Sequence, residues 1–280
     1  MSAAKLLKRG CDLVRAICQE PRQSLGIIRV LVGTIRGSAY AAKWPRPTGE
    51  EPHEAPQADN RSFPLPNPLL RYFDSHQTGK GIWKWRHYFE IYHRHFAKFV
   101  GREVHIVEIG IFSGGSIDMW KTYFGPSCHV YGVDIEPACK NYESERVKIF
   151  IGDQADRKFW KAFREQVPTL DILIDDGGHA PDQQIISLEE MLPHLRPGGV
   201  YLCEDVSRVH HRFAAYVAGL ADNLNAWTGE FDHSPAPTLG FQRQIQSIHQ
   251  YPFVTVIEKC ENPQERLISE RHGTEWQPYM

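Results

Sequence analysis

VHIVEIGIFSGGS, from Val104 to Ser116, is an apolar run that stops on one glycine and resumes four residues later with a glycine pair. A run this short, bounded by glycine, reads as a strand buried on both faces. The spacing after it, G-x-x-x-G-G, gives a tight turn and then the free N–H groups of a helix over SIDMWKTYF. Further runs follow in HVYGVDI (129–135), VKIFIGD (147–153), LDILIDD (170–176) and, after Pro197-Gly198-Gly199, VYLCEDV (200–206). Helical spacing in DRKFWKAFREQV, DQQIISLEEMLPHL and RFAAYVAGLADNLNA follows the last three of these. Strands alternating with helices mean an α/β fold, a doubly wound and mostly parallel sheet covered on both faces. FQRQIQSIHQY and FVTVIEK meet at Pro252 with no helix between them, so they predict a closing antiparallel hairpin and bring the sheet to seven strands. Ahead of the first strand, WKWRHYFEIYHRHFAKF spaces Trp85, Phe89, Tyr92, Phe96 and Phe99 as one helical face, read as core.

Charge divides the rest of the chain. Before Glu50 stand Lys5, Lys8, Arg9, Arg15, Arg22, Arg29, Arg36, Lys43 and Arg46 against Asp12 and Glu20, and LLKRGCDLVRAICQ has helical apolar spacing. Residues 1–43 therefore read as a basic helical extension. It is suited to packing on its own domain or on a second subunit as a homo-oligomer contact, with a membrane surface or transit-peptide role as the competing reading. Residues 44–69 are rich in proline and acids without periodicity, a linker. The globular domain is expected over 70–262 and a tail over 263–280. A net charge of −2 gives no push towards nucleic acid. No apolar stretch reaches the roughly 18 to 20 residues of a membrane span, and the scattered cysteines show no C-x-x-C pair. A soluble, cytoplasmic protein in a reducing compartment is the expectation.

Ligands in open α/β sheets bind beyond the carboxyl ends of the strands, at the point where strand order reverses. Five strand ends carry polar groups there. The first contributes Glu108, Gly110 and Gly114; the second ends on Asp134, placed to accept ribose hydroxyls; the third is followed by Asp153 and Gln154, able to read an adenine edge. Each alone is also an ordinary turn residue. The fourth ends in Asp175-Asp176-Gly177-Gly178-His179 and the fifth in Glu204-Asp205.

With VEIGIFSGG, YGVDIEP, GDQ and LRPGGVYLCED at these places, residues from about 70 to 259 resemble a class I S-adenosylmethionine-dependent methyltransferase. Within that class the chain is similar to the metal-dependent macrolide sugar O-methyltransferases and the cephalosporin-hydroxylase-like group. The resemblance implies a Rossmann-like methyltransferase sheet, S-adenosylmethionine as cofactor, and Glu108, Gly110, Gly114, Asp134, Asp153, Gln154 and Asp175 as the residues around it. It further implies Asp176, Glu204 and Asp205 as ligands of Mg²⁺ or Mn²⁺, with His179 as general base. Carboxylate oxygens suit a hard divalent cation, which would also relieve the repulsion among these acids. Alternating strand residues point to opposite faces, so Glu204 and Asp205 can share a metal only if the strand bends there. The group's D-D-G-S-H motif reads DDGGH here, with Gly178 in place of the serine.

The expected activity is O-methylation of a small hydroxylated acceptor, a sugar or glycoside. Competing readings are an NAD(P)-dependent oxidoreductase, a metal-dependent hydrolase or hydroxylase, and a non-catalytic binding module. HQTGKGIWKW (76–85) reads as a glycine-hinged lid or a plain loop, and His210, His211 and Arg212 as acceptor contacts or a solvated loop.

Overall fold

The computed structural model describes residues 33–43, 67–207, 212–226 and 236–275. The expected basic extension and linker therefore lie outside the described residues, except that residues 33–41 are helical and exposed. Of the acceptor candidates, His210 and His211 also lie outside them.

Residues 67–69, the end of the expected linker, are described as well. Asn67 caps helix α1 (Pro68–Ser75) by accepting from the Leu69 and Leu70 N–H groups, with proline at the first helical position where no N–H is needed. After an irregular segment comes α2 (Tyr88–Phe96). The alternation then runs β1 (Val104–Ile109), α3 (Gly115–Phe124), β2 (Cys128–Asp134), β3 (Val147–Ile151), α4 (Arg157–Arg164), β4 (Leu170–Asp175), α5 (Pro181–Met191), β5 (Leu195–Cys203) and α6 (Arg212–Leu224). A two-residue β6 (Ala236–Pro237), a short helix α7 (Gly240–Gln244), β7 (Ile245–Tyr251), β8 (Val254–Lys259) and a two-residue β9 (Arg266–Leu267) complete the described chain.

Seven strands form one sheet in the order β3-β2-β1-β4-β5-β8-β7. The first five are parallel, and β8 joins β5 and β7 in antiparallel pairs. The doubly wound sheet with its closing hairpin is thus as expected. The order reverses between β1 and β4, which makes the carboxyl ends of these two strands the crevice of the fold. Both faces are covered. Ile106, Ile172 and Leu202 point into one apolar cluster with Phe89, Tyr92, Phe96 and Trp120, whereas Val107, Leu173 and Tyr201 point into the other with Trp160, Phe163 and Met191. Each such aromatic or branched side chain, fully buried, contributes about 1.5–3 kcal/mol.

Three local expectations are corrected. FQRQ is not strand: Gly240–Gln244 is helical, and extended structure starts at Ile245. Strand β5 begins at Leu195 and runs through the Pro-Gly-Gly segment, absorbing it as a register shift against β4. Trp85 precedes α2 and is 55% exposed, so the buried aromatic face keeps Phe89, Tyr92, Phe96 and Phe99, loses Trp85 and gains Tyr88. Among the described residues no helix is long and apolar enough to cross a membrane, and Cys128, Cys139, Cys203 and Cys260 are free thiols.

Helix α2 is latched to the antiparallel end of the sheet by Glu258. His95 Nδ1 lies 3.1 Å from Glu258 Oε1, the Ser247 hydroxyl donates at 3.0 Å, and the Lys98 ammonium lies at 3.7 Å. The hydrogen bond from His95, with Lys98 and Ser247 assisting, holds this carboxyl down at about 2. A carboxyl whose folded value is depressed stabilises the fold above its ordinary value and loses that stabilisation as pH falls through the folded one. Glu258→Gln is therefore expected to lower the melting temperature near neutrality and to flatten its decline between the ordinary glutamate range and about 2. Thermal denaturation of both proteins across that acid range checks the sign.

Candidate functional site

A cleft of about 790 Å³ opens at the β1/β4 crevice, lined by Gly110, Asp134, Asp153, Gln154, Asp176, His179, Glu204 and Asp205 among others. Its floor depends on Gly110. This residue has φ +81°, and a Cβ there would drive into the Asp176 carbonyl, so only glycine lets the first turn pass against the fourth strand's end.

On the β2 and β3 side, Asp134 accepts from the Phe112 N–H at 3.1 Å and the Glu136 N–H at 2.9 Å, which fixes its carboxylate at the cleft. Asp153 is exposed and accepts from the Ala155 N–H at 2.8 Å. Gln154 is committed elsewhere. Its Nε2 donates to Asp175 Oδ1 at 3.0 Å and its Oε1 accepts from the Gly178 N–H at 2.7 Å, so the amide braces the DDGGH loop. Asp175 is fully buried behind that loop, accepting from Gln154, Ser187 and, at 3.1 Å, the Tyr201 hydroxyl. Asp175 is not among the residues that line the cleft, and its carboxylate holds the loop from behind. Gly114 is the left-handed residue at the start of α3, facing the Tyr142 ring. Glu108 lies beneath the turn, accepting from the Ser116 hydroxyl at 2.7 Å, while its other oxygen is buried without a hydrogen bond.

On the β4 and β5 side the acids converge as the sequence suggests, around a group it did not suggest. The Lys84 ammonium lies 2.5 Å from Asp176 Oδ2, 3.0 Å from both Glu204 oxygens and 3.8 Å from Glu108, and its side chain is 4% exposed. Burial alone would depress this ammonium, but the three carboxylates outweigh it and hold it above the ordinary lysine range. Burial in turn raises the Glu204 carboxyl to about 8, against the pull of Lys84.

Strand β5 does bend. Glu204 still donates its N–H to Asp175 O at 2.8 Å, but Asp205 takes φ +50°, and the two neighbours end on the same cleft. His179 has φ +53°. Left-handed non-glycine residues cost of order 1–3 kcal/mol each and gather at functional sites. Two tyrosines one helical turn apart on α2 reach these consecutive acids: Tyr92 donates to Glu204 at 2.6 Å and Tyr88 to Asp205 at 2.6 Å. Trp85 Nε1 also donates to Asp205, at 3.2 Å. His179 Nε2 lies 3.6 Å from Asp205 Oδ2, and its Nδ1 is buried without a partner. Asp176, His179 and Asp205 offer donor atoms within 4.8 Å of one another. The acids therefore fit a hard cation: Asp176 and Glu204 already share one, the lysine ammonium, and Asp176 also groups with Asp205.

Lys84, Tyr88, Tyr92 and Trp85 were not legible as site residues. The helical stripe marks Tyr92 as core, and its ring is indeed core while its hydroxyl is not. Arg212, an acceptor candidate, is exposed at the start of α6 and pairs with Asp182.

Comparison with known proteins agrees with this geometry. Residues 107–206 match the family described as "Methyltransferase domain". The chain is 30% identical over 224 residues to 8-demethyl-8-alpha-L-rhamnosyl tetracenomycin-C 2'-O-methyltransferase of Streptomyces olivaceus, covering 77% of this chain and 54% of that one. It is 30% identical over 198 residues to mycinamicin VI 2''-O-methyltransferase of Micromonospora griseorubida, covering 61% and 47%. Among solved structures, the MycE methyltransferase of the mycinamycin pathway, in complex with Mg and SAH, superposes with a TM-score of 0.57 at 27% identity over 70% of this chain and 55% of that one. The chain spans about half the length of the curated relatives it matches.

Gln154→Ala would leave the Gly178 N–H and one Asp175 oxygen without their partner. A loss of about 1–3 kcal/mol in unfolding free energy is expected, measured by urea denaturation.

Proposed function

We propose that this chain, whose residues 107–206 match the methyltransferase domain and which is similar over 77% of its length to a sugar O-methyltransferase, is a class I S-adenosylmethionine-dependent methyltransferase that methylates a hydroxyl of a small sugar or glycoside. Asp176, Glu204 and Asp205 hold a divalent cation, Mg²⁺ before Mn²⁺, and His179 is the general base. The observation that carries this reading is the convergence of Asp176 and Glu204 on one cation beside His179, across β1 from Asp134.

S-adenosylmethionine, when bound, supplies a methyl group on a sulfonium that an in-line oxygen can attack. Asp134 keeps acceptor capacity for two ribose hydroxyls, since its two backbone bonds leave lone pairs at the cleft. Gly110 keeps the backbone low enough for the donor to lie over β1. The bound cation would orient the acceptor and lower the pKa of its hydroxyl. His179 then takes the proton at Nε2, the nitrogen beside Asp205, because Nδ1 is shielded. Tyr88 and Trp85 keep Asp205 in place beside that nitrogen. Trp85 and Phe253, with ring centroids 5.9 Å apart, provide an apolar wall beside these acids, suited to the C–H face of a sugar ring.

Transfer of a labelled methyl group from S-adenosylmethionine to rhamnosides with adjacent free hydroxyls tests the reading. His179→Ala is expected to lower kcat about 10²–10⁴-fold while S-adenosylhomocysteine affinity is kept. Undiminished turnover in that variant, or turnover that persists after chelation of divalent cations, would sink the assignment.

A further inference from the structure

The segment between α1 and α2 puts two consecutive side chains on the acids of the cleft: Lys84 on Asp176 and Glu204, and Trp85 on Asp205. All three proposed metal ligands are thereby covered by one short stretch of chain. We propose that Lys84 is a tethered counter-ion that occupies the divalent-cation position, so that metal affinity is set by competition with this lysine and metal entry frees the segment that carries it. The inference rests on the reading that Asp176, Glu204 and Asp205 bind a divalent cation.

The charge geometry leaves room for one occupant. Lys84 Nζ touches one Asp176 oxygen and both Glu204 oxygens at 2.5–3.0 Å, so its charge already fills the space between them. A magnesium ion needs carboxylate oxygens at about 2.0–2.1 Å in an octahedral shell, and an ammonium on the same oxygens would stand in that shell. Two cations at such a distance in a buried space repel strongly. The lysine side chain is 4% exposed and lines the cleft, so metal entry turns it out into the cleft or moves the backbone that carries it.

The segment is built to move. It has no regular secondary structure between Ser75 and Tyr88, and Gly79 sits at φ +96°. Its other polar ties lie at the surface: His76 to the Lys80 carbonyl at 2.7 Å, Lys80 to Asp118 at 3.1 Å, Arg86 to Asp74 at 2.6 Å and His87 to the Pro252 carbonyl at 3.0 Å. Ile82 packs against the apolar core, whereas Trp83, beside Lys84, is 90% exposed. Of the ion pairs on this stretch, that of Lys84 with the acid cluster is the buried one.

Mn²⁺ titration followed by electron paramagnetic resonance, on the full chain with S-adenosylhomocysteine present, reads the competition directly. Lys84→Met is expected to bind Mn²⁺ at least ~10-fold more tightly than the wild type, and Lys84→Arg to stay close to it. In the wild type, hydrogen exchange of amides 77–86 should accelerate when Mn²⁺ is added. Equal or weaker Mn²⁺ binding by Lys84→Met overturns the competition while leaving the metal reading standing. If neither the wild type nor Lys84→Met binds Mn²⁺, the metal reading fails and this inference with it. Should Lys84→Met not fold, unchanged or slowed exchange in the wild-type segment on Mn²⁺ binding is enough to reject the proposal.

Discussion

Glu108, Asp176 and Glu204 come within ion-pair reach of a single buried ammonium, Lys84. Like charges about 4 Å apart cost roughly 4 kcal/mol each at an effective dielectric near 20, so three of them cannot share a closed space without a cation. The consequences spread outward. Glu204 is raised towards neutrality by burial and still needs the Tyr92 hydroxyl. Tyr92 comes from α2, so the helix must lie across the sheet with its aromatic face inward. The segment ahead of α2 must dip low enough to deliver the lysine. The carboxyl ends of β4 and β5, helix α2 and the strap before it are thus tied together through these acids.

The same requirement explains why the strand ends are irregular. A strand presents consecutive side chains to opposite faces, yet Glu204 and Asp205 end on one cleft because Asp205 turns into the left-handed region. His179 does the same at the end of β4. Such residues hold only where surroundings over-determine them. For Asp205 those surroundings are Tyr88, Trp85 and His179; for the loop of His179 they are Gln154 and the buried Asp175.

Much of the fold was legible because buried parallel strands write themselves as apolar runs closed by glycine or acid, and the strand ends named the right corner of the sheet. Asp134, Asp176, His179, Glu204 and Asp205 could be picked out on that basis. Lys84 could not: it lies in an irregular stretch where no periodicity says which way a side chain points. Tyr92 was hidden differently, since a tyrosine counted as core by its ring keeps a hydroxyl free for a distant acid, and Tyr88 stood outside the stripe altogether. Gly240–Gln244 was missed because five residues are too few to separate a helical turn from the extended run that follows.

Gly178 stands where the related motif has serine, and its surroundings show what took the space. A side chain at 178 would run into the amide of Gln183, and that amide accepts from the Ala180 N–H at 3.1 Å to close the start of α5. The amide is the far end of a flexible side chain, so a serine at 178 would turn it aside rather than be shut out. What it would disturb is the bond from the Ala180 N–H to Gln183 at the start of α5. The glycine therefore leaves this helix start its side-chain cap.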